Sequence, residues 1–309
     1  MNRATAIAHP NIALVKYWGK RDVEANLPAV PSLSLGIAEW RTETTVTWGA
    51  AFDRVFLAGE PAPAAFALRV SRHLDRIDPH RPRCEVETHN DFPTGAGLAS
   101  SASGFAALTL AAIAASGRQA TRWELSALAR QGSGSACRSV PGGWAVWRDE
   151  AAVALEVDWP VRLVVCVVDE RPKPVGSTEG MARSAATSPL WSTWLATAEG
   201  DVEAAIAALE RRDLEALGAI CERSTHKMFA TMFTATPPLI YWQPVTVALL
   251  HEVQGLRARG IGAWATLDAG PQVKVLCAAA DAPTVAAALA PLSLRTLVAS
   301  PGGPARVVE

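Results

Sequence analysis

The sequence predicts a two-domain α+β protein. Strand-like and helix-like segments alternate through the first half, and an apolar strand, "RLVVCVVDE" (162–170), opens a second series after Trp159-Pro160. The chain has 309 residues, half of them hydrophobic, which is enough to bury two cores. The boundary is expected near residue 160, dividing the chain into 1–160 and 161–309.

In chain order, "NIALVKYWGKRD" (11–22) reads as a charged strand with Lys16 and Lys20 on one face and Tyr17, Gly19 and Arg21 on the other. "TETTVTW" (42–48) alternates at period two, as a half-buried strand does. "AAFALRVSRHLDRI" (64–77) has the spacing of an amphipathic helix. "CEVETHNDF" (84–92) is a strand running into a glycine turn, followed by an Ala-rich helix over 98–116. "RWELSALARQ" (122–131) is a helix stopped by Gly132, and "GGWAVWRD" and "AAVALEVDWP" pair as strands. In the second half, helices are expected over 190–199, 201–229, 245–260 (capped by Gly260) and 282–291. "GAWATLDAGPQVKVLCAA" (262–279) reads as two strands joined at Asp268-Ala269-Gly270-Pro271.

Composition narrows the function. A formal charge of −1 and a pI near 6.6 argue against a nucleic-acid footprint or an anionic membrane surface. The five cysteines, Cys84, Cys137, Cys166, Cys221 and Cys277, are odd in number and widely spaced, which fits a reduced, cytoplasmic protein without structural zinc. The opening residues lack a signal-peptide pattern, and Ser, Gly and Thr interrupt the Ala-rich helix, so it reads as a buried core helix rather than a membrane span.

Four stretches carry candidate chemistry. In "PTGAGLASSASG" (93–104), Gly95, Ala96, Gly97 and Leu98 precede Ser100, Ser101 and Ser103 at a helix start. Unpaired first-turn N–H groups and the helix dipole favour a phosphate there, and a hydroxyl can ligate Mg²⁺. The Walker A Lys-Ser/Thr ending is absent, and plain N-capping accounts for the same serines. "QGSGSACRSVPGG" (131–143) joins Ser133 and Ser135 to Arg138, whose fork matches a carboxylate or phosphate, although a surface salt bridge is the simpler reading. "NIALVKYWGKRD" concentrates cations around Tyr17, which a charged edge strand also explains. Asp268 either serves its turn or points a strand-end carboxylate into a cleft. Together these describe an anionic substrate, a nucleotide-phosphate loop and one acid opposite two cations.

The combination resembles a known family. "PTGAGLASSASG" resembles the phosphate-binding motif of the superfamily of galactokinase, homoserine kinase, mevalonate kinase and phosphomevalonate kinase (GHMP). More narrowly, "NIALVKYWGKRD", "DFPTGAGLASSASGFAAL", "GSGSACRSVPGGWAVW", "GSTEGM" and "LDAGPQVKVL" resemble, in order, the diphosphomevalonate decarboxylase family. The resemblance implies a GHMP-kinase-like fold, an N-terminal α/β ATP-binding domain and a ferredoxin-like C-terminal domain with the active site between them. It implies ATP as co-substrate with Mg²⁺, a small anionic substrate and a homodimer. The reaction implied is phosphorylation of the C3 hydroxyl of mevalonate 5-diphosphate, then loss of phosphate and CO₂ to give isopentenyl diphosphate.

Residue by residue, the resemblance places the nucleotide phosphates at Gly95, Ala96, Gly97, Leu98, Ser100, Ser101 and Ser103, with Ser101 as the Mg²⁺ ligand. Asp268 matches the catalytic aspartate and Arg138 the active-site arginine that would hold the substrate carboxylate. Lys20 and Tyr17 match positions near the substrate phosphates, and Ser133 and Ser135 match serines beside the arginine. Segment 171–189, rich in Pro, Gly, Ser and Thr, is either a wall or a lid, from which Lys173 and Arg183 would reach substrate phosphates.

The mevalonate kinase branch carries an Asp inside its GSG-x-D stretch; here "GSGSACRS" has Ala136 in its place, which favours the decarboxylase branch. A C3-kinase that stops before decarboxylation, and a decarboxylase acting on the 5-phosphate, remain as alternatives. The second arises because Val30 and Pro31 stand where the family has Asn- and Ser-rich residues. A catalytically silent ATP-binding protein would have lost polar motif residues, whereas Asp268, Arg138 and Lys20 are all present.

Overall fold

A computed structural model of the chain describes residues 2–92, 100–171 and 173–308. The first half runs β1 (Arg3–Ala8), β2 (Asn11–Val15), β3 (Lys20–Asp22), β4 (Leu27–Pro28), β5 (Ser32–Gly36), β6 (Thr42–Trp48), β7 (Arg54–Leu57), β8 (Glu60–Pro61), α1 (Ala64–Ile77), β9 (Cys84–Asn90), α2 (Ser100–Ala115), α3 (Arg122–Gly132), α4 (Ala136–Ser139), β10 (Trp144–Trp147) and β11 (Ala152–Leu155). The second runs β12 (Val161–Val167), α5 (Ser177–Thr187), α6 (Trp191–Glu210), α7 (Leu214–Phe233), α8 (Pro244–Ala258), β13 (Ala263–Thr266), β14 (Val273–Ala278), α9 (Ala282–Leu289), β15 (Arg295–Ala299) and β16 (Arg306–Val307).

Among the described residues the strands form three main sheets and a small β3–β4 ladder. Their orders are β16-β1-β6-β9-β7-β8, β11-β10-β5-β2 and β13-β14-β12-β15. The Ala-rich α2 buries twelve of its sixteen residues, packing on β1 and β6 and against α3 and α4. Small side chains let its backbone lie close to all of these neighbours, so it is a core helix, as its interrupted hydrophobicity predicts. No helix among the described residues is long and apolar enough to cross a membrane.

Alternate residues of β12 enter different cores, as the period-two rule requires. Val161, Leu163 and Val165 join a core with Ile12, Leu33, Val202 and Leu209. Val164 and Cys166, with Val168 just past the strand, join another with Leu249, Val253 and Leu289. The strand opening the second half is therefore also packed against the first.

The chain then returns. Gly302 N–H donates to Gly36 O at 2.8 Å, Gly143 N–H donates to Gly302 O at 2.7 Å, and Ala305 N–H donates to Val140 O at 3.1 Å. β16 closes the first sheet against β1, pairing Ala6 with Val307. These residues lie beyond position 160 in sequence, yet they belong spatially with the first half.

Two expected elements shift. The helices expected at 190–199 and 201–229 are α6 and α7, with the break at residues 211–213, because Arg212 turns left-handed (φ 54°) and Asp213 caps Ala216 N–H at 3.0 Å. Segment 11–22 is not one strand. β2 ends at Val15 after a bulge, and Gly19 takes a φ of 106°, so Lys16 and Lys20 do not share a face.

Candidate active site

The end of β2, the Gly132–Ser135 loop, α4, the β13–β14 loop and the start of α5 converge on a cleft of about 600 Å³. Five cations line it (Lys20, Arg69, Arg138, Arg171 and Lys173), and among the described residues Asp268 is the one lining carboxylate. Such a cleft attracts polyanions.

Asp268 follows β13, where its carbonyl accepts from Gly270 N–H at 2.7 Å in a tight turn. Lys16 Nζ lies 3.0 Å from its Oδ1, and Lys274 Nζ, one residue into β14, lies 3.0 Å from its Oδ2. Both lysine side chains are 1 % exposed, whereas the carboxylate is 33 % exposed and opens to the cleft. Burial pushes the Asp268 carboxyl upward, but the charges and hydrogen bonds of Lys16 and Lys274 outweigh it and hold the group well below the ordinary carboxylate range. Burial lowers the Lys16 pKa, with Asp268 opposing. Lys16 also donates to Ala13 O at 2.6 Å, and its backbone N–H donates to Ser224 Oγ at 2.9 Å, so the pair is fixed from three elements.

Arg138 is buried on α4. Its Nε donates to Asn11 Oδ1 at 2.9 Å and its Nη1 to Ser32 Oγ at 2.8 Å. Asn11 Nδ2 donates in turn to Ser139 Oγ at 2.8 Å and Ser135 O at 3.1 Å. The rings of Tyr17 and Trp147 flank the guanidinium at 5.8 and 5.7 Å. Among the described residues no carboxylate forms an ion pair with it, so neutral partners orient the charge and leave it available for an anion.

Among the described residues Tyr17 Oη has no hydrogen-bond partner; it is buried beside Gly134, where an added Cβ would lie 2.8 Å away. Burial raises the Tyr17 pKa, with Arg138 opposing. Lys20 Nζ donates to Asn26 Oδ1 at 2.5 Å. Ser133 Oγ lies 3.4 Å from Ser101 Oγ, joining the serine loop to the start of α2. Lys173 Nζ donates to Ser177 Oγ at 2.7 Å and to Ala269 O at 2.8 Å, tying α5 to the Asp268 turn.

The structure thus brings Asp268, Arg138, Lys20, Tyr17, Ser133, Ser135, Ser100 and Ser101 to one cleft. Ser103 does not line the cleft: it is fully buried against β6, with Oγ 2.6 Å from Thr42 Oγ1. Arg183 does not line the cleft either. α5 presents Ser177, Thr178 and Met181 to it, and Arg183, two positions on, faces away to donate to Glu179 Oε1 at 2.6 Å and Pro237 O at 3.4 Å. Within segment 171–189, α5 buries Gly180, Met181 and Ser184. Gly95, Ala96, Gly97 and Leu98 lie outside the described residues.

Sequence reasoning passed over Asn11, Ser32 and Lys274 and left Lys16 as part of a charged strand. A lysine inside an apolar run such as "NIALVKYW", and another in "VKVL", is the signal that buried counter-charges were present.

The matching family models follow the fold: residues 8–155 match the diphosphomevalonate decarboxylase-like N-terminal domain and residues 163–296 the mevalonate 5-diphosphate decarboxylase C-terminal domain. The chain belongs to the diphosphomevalonate decarboxylase family. A relative, diphosphomevalonate decarboxylase mvd1 of Aspergillus fumigatus, is 37 % identical over 92 % of this chain and 79 % of its own. The solved mevalonate diphosphate decarboxylase of Staphylococcus aureus is 31 % identical with a TM-score of 0.94, covering 100 % of this chain and 98 % of that one. The enzyme MDDEF, in complex with MVAPP, AMPPCP and magnesium, is 35 % identical with a TM-score of 0.93, covering 99 % of each chain. The α+β, GHMP-kinase-like architecture of the decarboxylase family is therefore the fold of this chain.

Proposed function

We propose that this protein performs the ATP-dependent decarboxylation of mevalonate 5-diphosphate to isopentenyl diphosphate, ADP, phosphate and CO₂. The observation carrying this reading is the pairing, within one cationic cleft, of an ionised carboxylate, Asp268, with a buried guanidinium, Arg138, whose hydrogen-bond partners among the described residues are neutral.

Phosphoryl transfer demands positioning and charge stabilisation more than covalent help. Asp268, held ionised, accepts the hydrogen bond of the C3 hydroxyl and aims its oxygen at the γ-phosphoryl group; as the new P–O bond forms and the bond to ADP breaks, the hydroxyl proton passes to the Asp268 carboxylate. A carboxylate bound by two ammonium groups is a weak base, so orientation is its larger contribution. In the second stage the C3–O bond breaks with phosphate as leaving group. The C1–C2 bond breaks as CO₂ departs, and its electron pair forms the C2=C3 double bond. Arg138 aligns the carboxylate for this step, and Asp268 stabilises positive charge developing at C3. Tyr17, Lys20, Ser133, Ser135 and Lys173 face the substrate's phosphate end, where the unpartnered Tyr17 hydroxyl supplies a donor.

Residues 1–160 would supply the nucleotide site and 161–309 the wall bearing Asp268. Ser100 and Ser101 open α2, whose N-terminus suits nucleotide phosphates. Beside them, Leu57, Phe66, Val70, Val86, Phe105 and Leu108 line an apolar pocket of about 270 Å³ that suits a nucleobase. Among the described residues no cluster of carboxylates, histidines or thiols could hold a metal. The exposed Ser101 hydroxyl fits Mg²⁺ bound chiefly by nucleotide phosphates and water. That ion, when bound, neutralises phosphate charge. The five cysteines are free and buried, which accords with a reducing, cytoplasmic setting. A homodimer, implied by the family resemblance, is the proposed working form and is read by sedimentation.

The test supplies ATP and Mg²⁺ with mevalonate, its 5-phosphate or its 5-diphosphate, following ADP and CO₂ in the same samples. Equal ADP and CO₂ with the diphosphate alone is the expected result. The same yield with the 5-phosphate would move the substrate by one phosphate, and ADP without CO₂ would make the protein a kinase.

A further inference from the structure

We infer that Asn26 is a positioning residue that presents the Lys20 ammonium to the substrate's anionic end and locks it to the frame of the Gly132–Ser135 loop. This inference rests on the substrate reading above.

Asn26 sits in the turn between β3 and β4 in a left-handed conformation (φ 54°), which Asn tolerates better than most residues. Its side chain lines the cleft and spans two groups of opposite character. Oδ1 accepts from Lys20 Nζ at 2.5 Å, and Nδ2 donates to Gln131 O at 2.9 Å. The orientation of the amide follows, since an ammonium only donates and a carbonyl only accepts.

Gln131 is the penultimate residue of α3, and its carbonyl is one of the groups a helix end leaves open. Arg76 Nη1 donates to the same oxygen at 2.9 Å. Ser133 follows two residues later, so the amide fixes Lys20 relative to the serine loop. The turn is docked a second time: Arg130 Nη1 donates to Ala25 O, while Arg130 Nε donates to Glu150 O at 2.7 Å. Asp22 Oδ1 closes the turn from inside by accepting from Ala25 N–H at 2.8 Å.

The choice of an amide has a chemical reason. Among the described residues Lys20 forms no ion pair, so its charge stays available to a phosphate. A neutral acceptor orients one N–H and leaves two for the ligand. An aspartate at this position would still accept from the ammonium, but it would neutralise that charge and lose the donor to Gln131 O.

The test compares Asn26→Gly, Asn26→Asp, Lys20→Ala and the Asn26→Gly/Lys20→Ala double variant in the full-length protein. Glycine keeps the left-handed turn available, so Asn26→Gly removes the amide without straining the backbone. For Asn26→Gly we expect KM for mevalonate 5-diphosphate to rise roughly tenfold, with KM for ATP and the melting temperature unchanged. Asn26→Asp should raise that KM at least as far. The double variant should be no worse than Lys20→Ala, because the amide acts through the ammonium. A large loss in Lys20→Ala beside wild-type KM in Asn26→Gly overturns this inference alone, as does full multiplication of the two effects. Wild-type KM in Lys20→Ala overturns the phosphate role of Lys20 beneath it.

Discussion

Two buried ammonium groups grip the Asp268 carboxylate, Lys16 at one oxygen and Lys274 at the other, and this grip fixes both its charge and its direction. Asp268→Asn keeps the shape and removes the charge. Turnover should fall at least about 10²-fold, through lost orientation and lost charge at C3, while ATP affinity, read by equilibrium binding, persists; near-normal turnover would take the aspartate out of the mechanism. The lysines also set the pH range. Because the folded carboxyl is held below its ordinary value, Asp268 stays ionised through mild acid and contributes no acid limb to kcat/KM there. Lys274→Met removes one of the two stabilising charges and should move an acid limb upward into the measurable range. An unchanged profile would detach Lys274 from the ionisation of Asp268. None of this pairing was legible from spacing alone: Lys16 and Asp268 are 252 positions apart and meet only because β2 and β13 both pack on α7. Asp268 and Arg138 stand out because their motifs resemble the family's; residue type alone leaves a turn aspartate and a surface arginine as open readings, and the fold puts both on one cleft.

Among the elements, α1 and α2 meet at His73. This residue is 2 % exposed, and its Nε2 lies 2.9 Å from Thr109 Oγ1. Since Thr109 donates its own hydrogen to Phe105 O at 2.7 Å, Nε2 must be the donor, and Nδ1 is left buried with no partner among the described residues. Protonation would bury a charge with no acceptor. Burial first, then the charges of Arg76 and Arg69, push the His73 pKa down to about 3 from 6.5. The unfolded chain therefore binds the proton more readily, and stability is lost as pH falls below about 6.5. Between about pH 6.5 and about pH 4.5 the loss from this residue is on the order of 2 kcal/mol. His73→Gln should flatten that part of the urea-midpoint profile, and an equally steep profile would assign the loss to other groups. Helices such as α1 were legible because their apolar spacing is bounded by turn residues. The α6–α7 break was misplaced because the Ala-rich pattern runs across it, and its signals, a left-handed Arg212 and the Asp213 cap, occupy only the few residues between the helices. The short strands β3, β4, β7 and β8 carry too few residues for periodicity to show.

For the molecule as a whole, the returning segment from Ser300 to Val308 adds backbone hydrogen bonds to Ala38, Gly36, Gly143, Val140 and Thr5. It also covers the edge of β1. At about 1 kcal/mol each, these bonds are a large share of the 5–15 kcal/mol that usually separates folded from unfolded chains. Deleting residues 300–309 should lower the melting temperature by roughly 10 °C or more. Activity should fall with it, because Val140 and Gly143 flank the helix that carries Arg138. A deletion variant melting with the full chain would show that the segment is dispensable.

The same segment bears on how such a protein can be recombined. A hybrid made by one exchange near residue 160 would seat one parent's Gly302 and Ala305 against the other parent's Gly143 and Val140. There the backbones touch so closely that a Cβ on Gly142 would lie 2.1 Å from Gly303 O. A hybrid with two exchange points, near 160 and near 299, keeps those partners together. Inheritance of this fold in working pieces therefore follows three segments of chain, with the first and the last travelling as one.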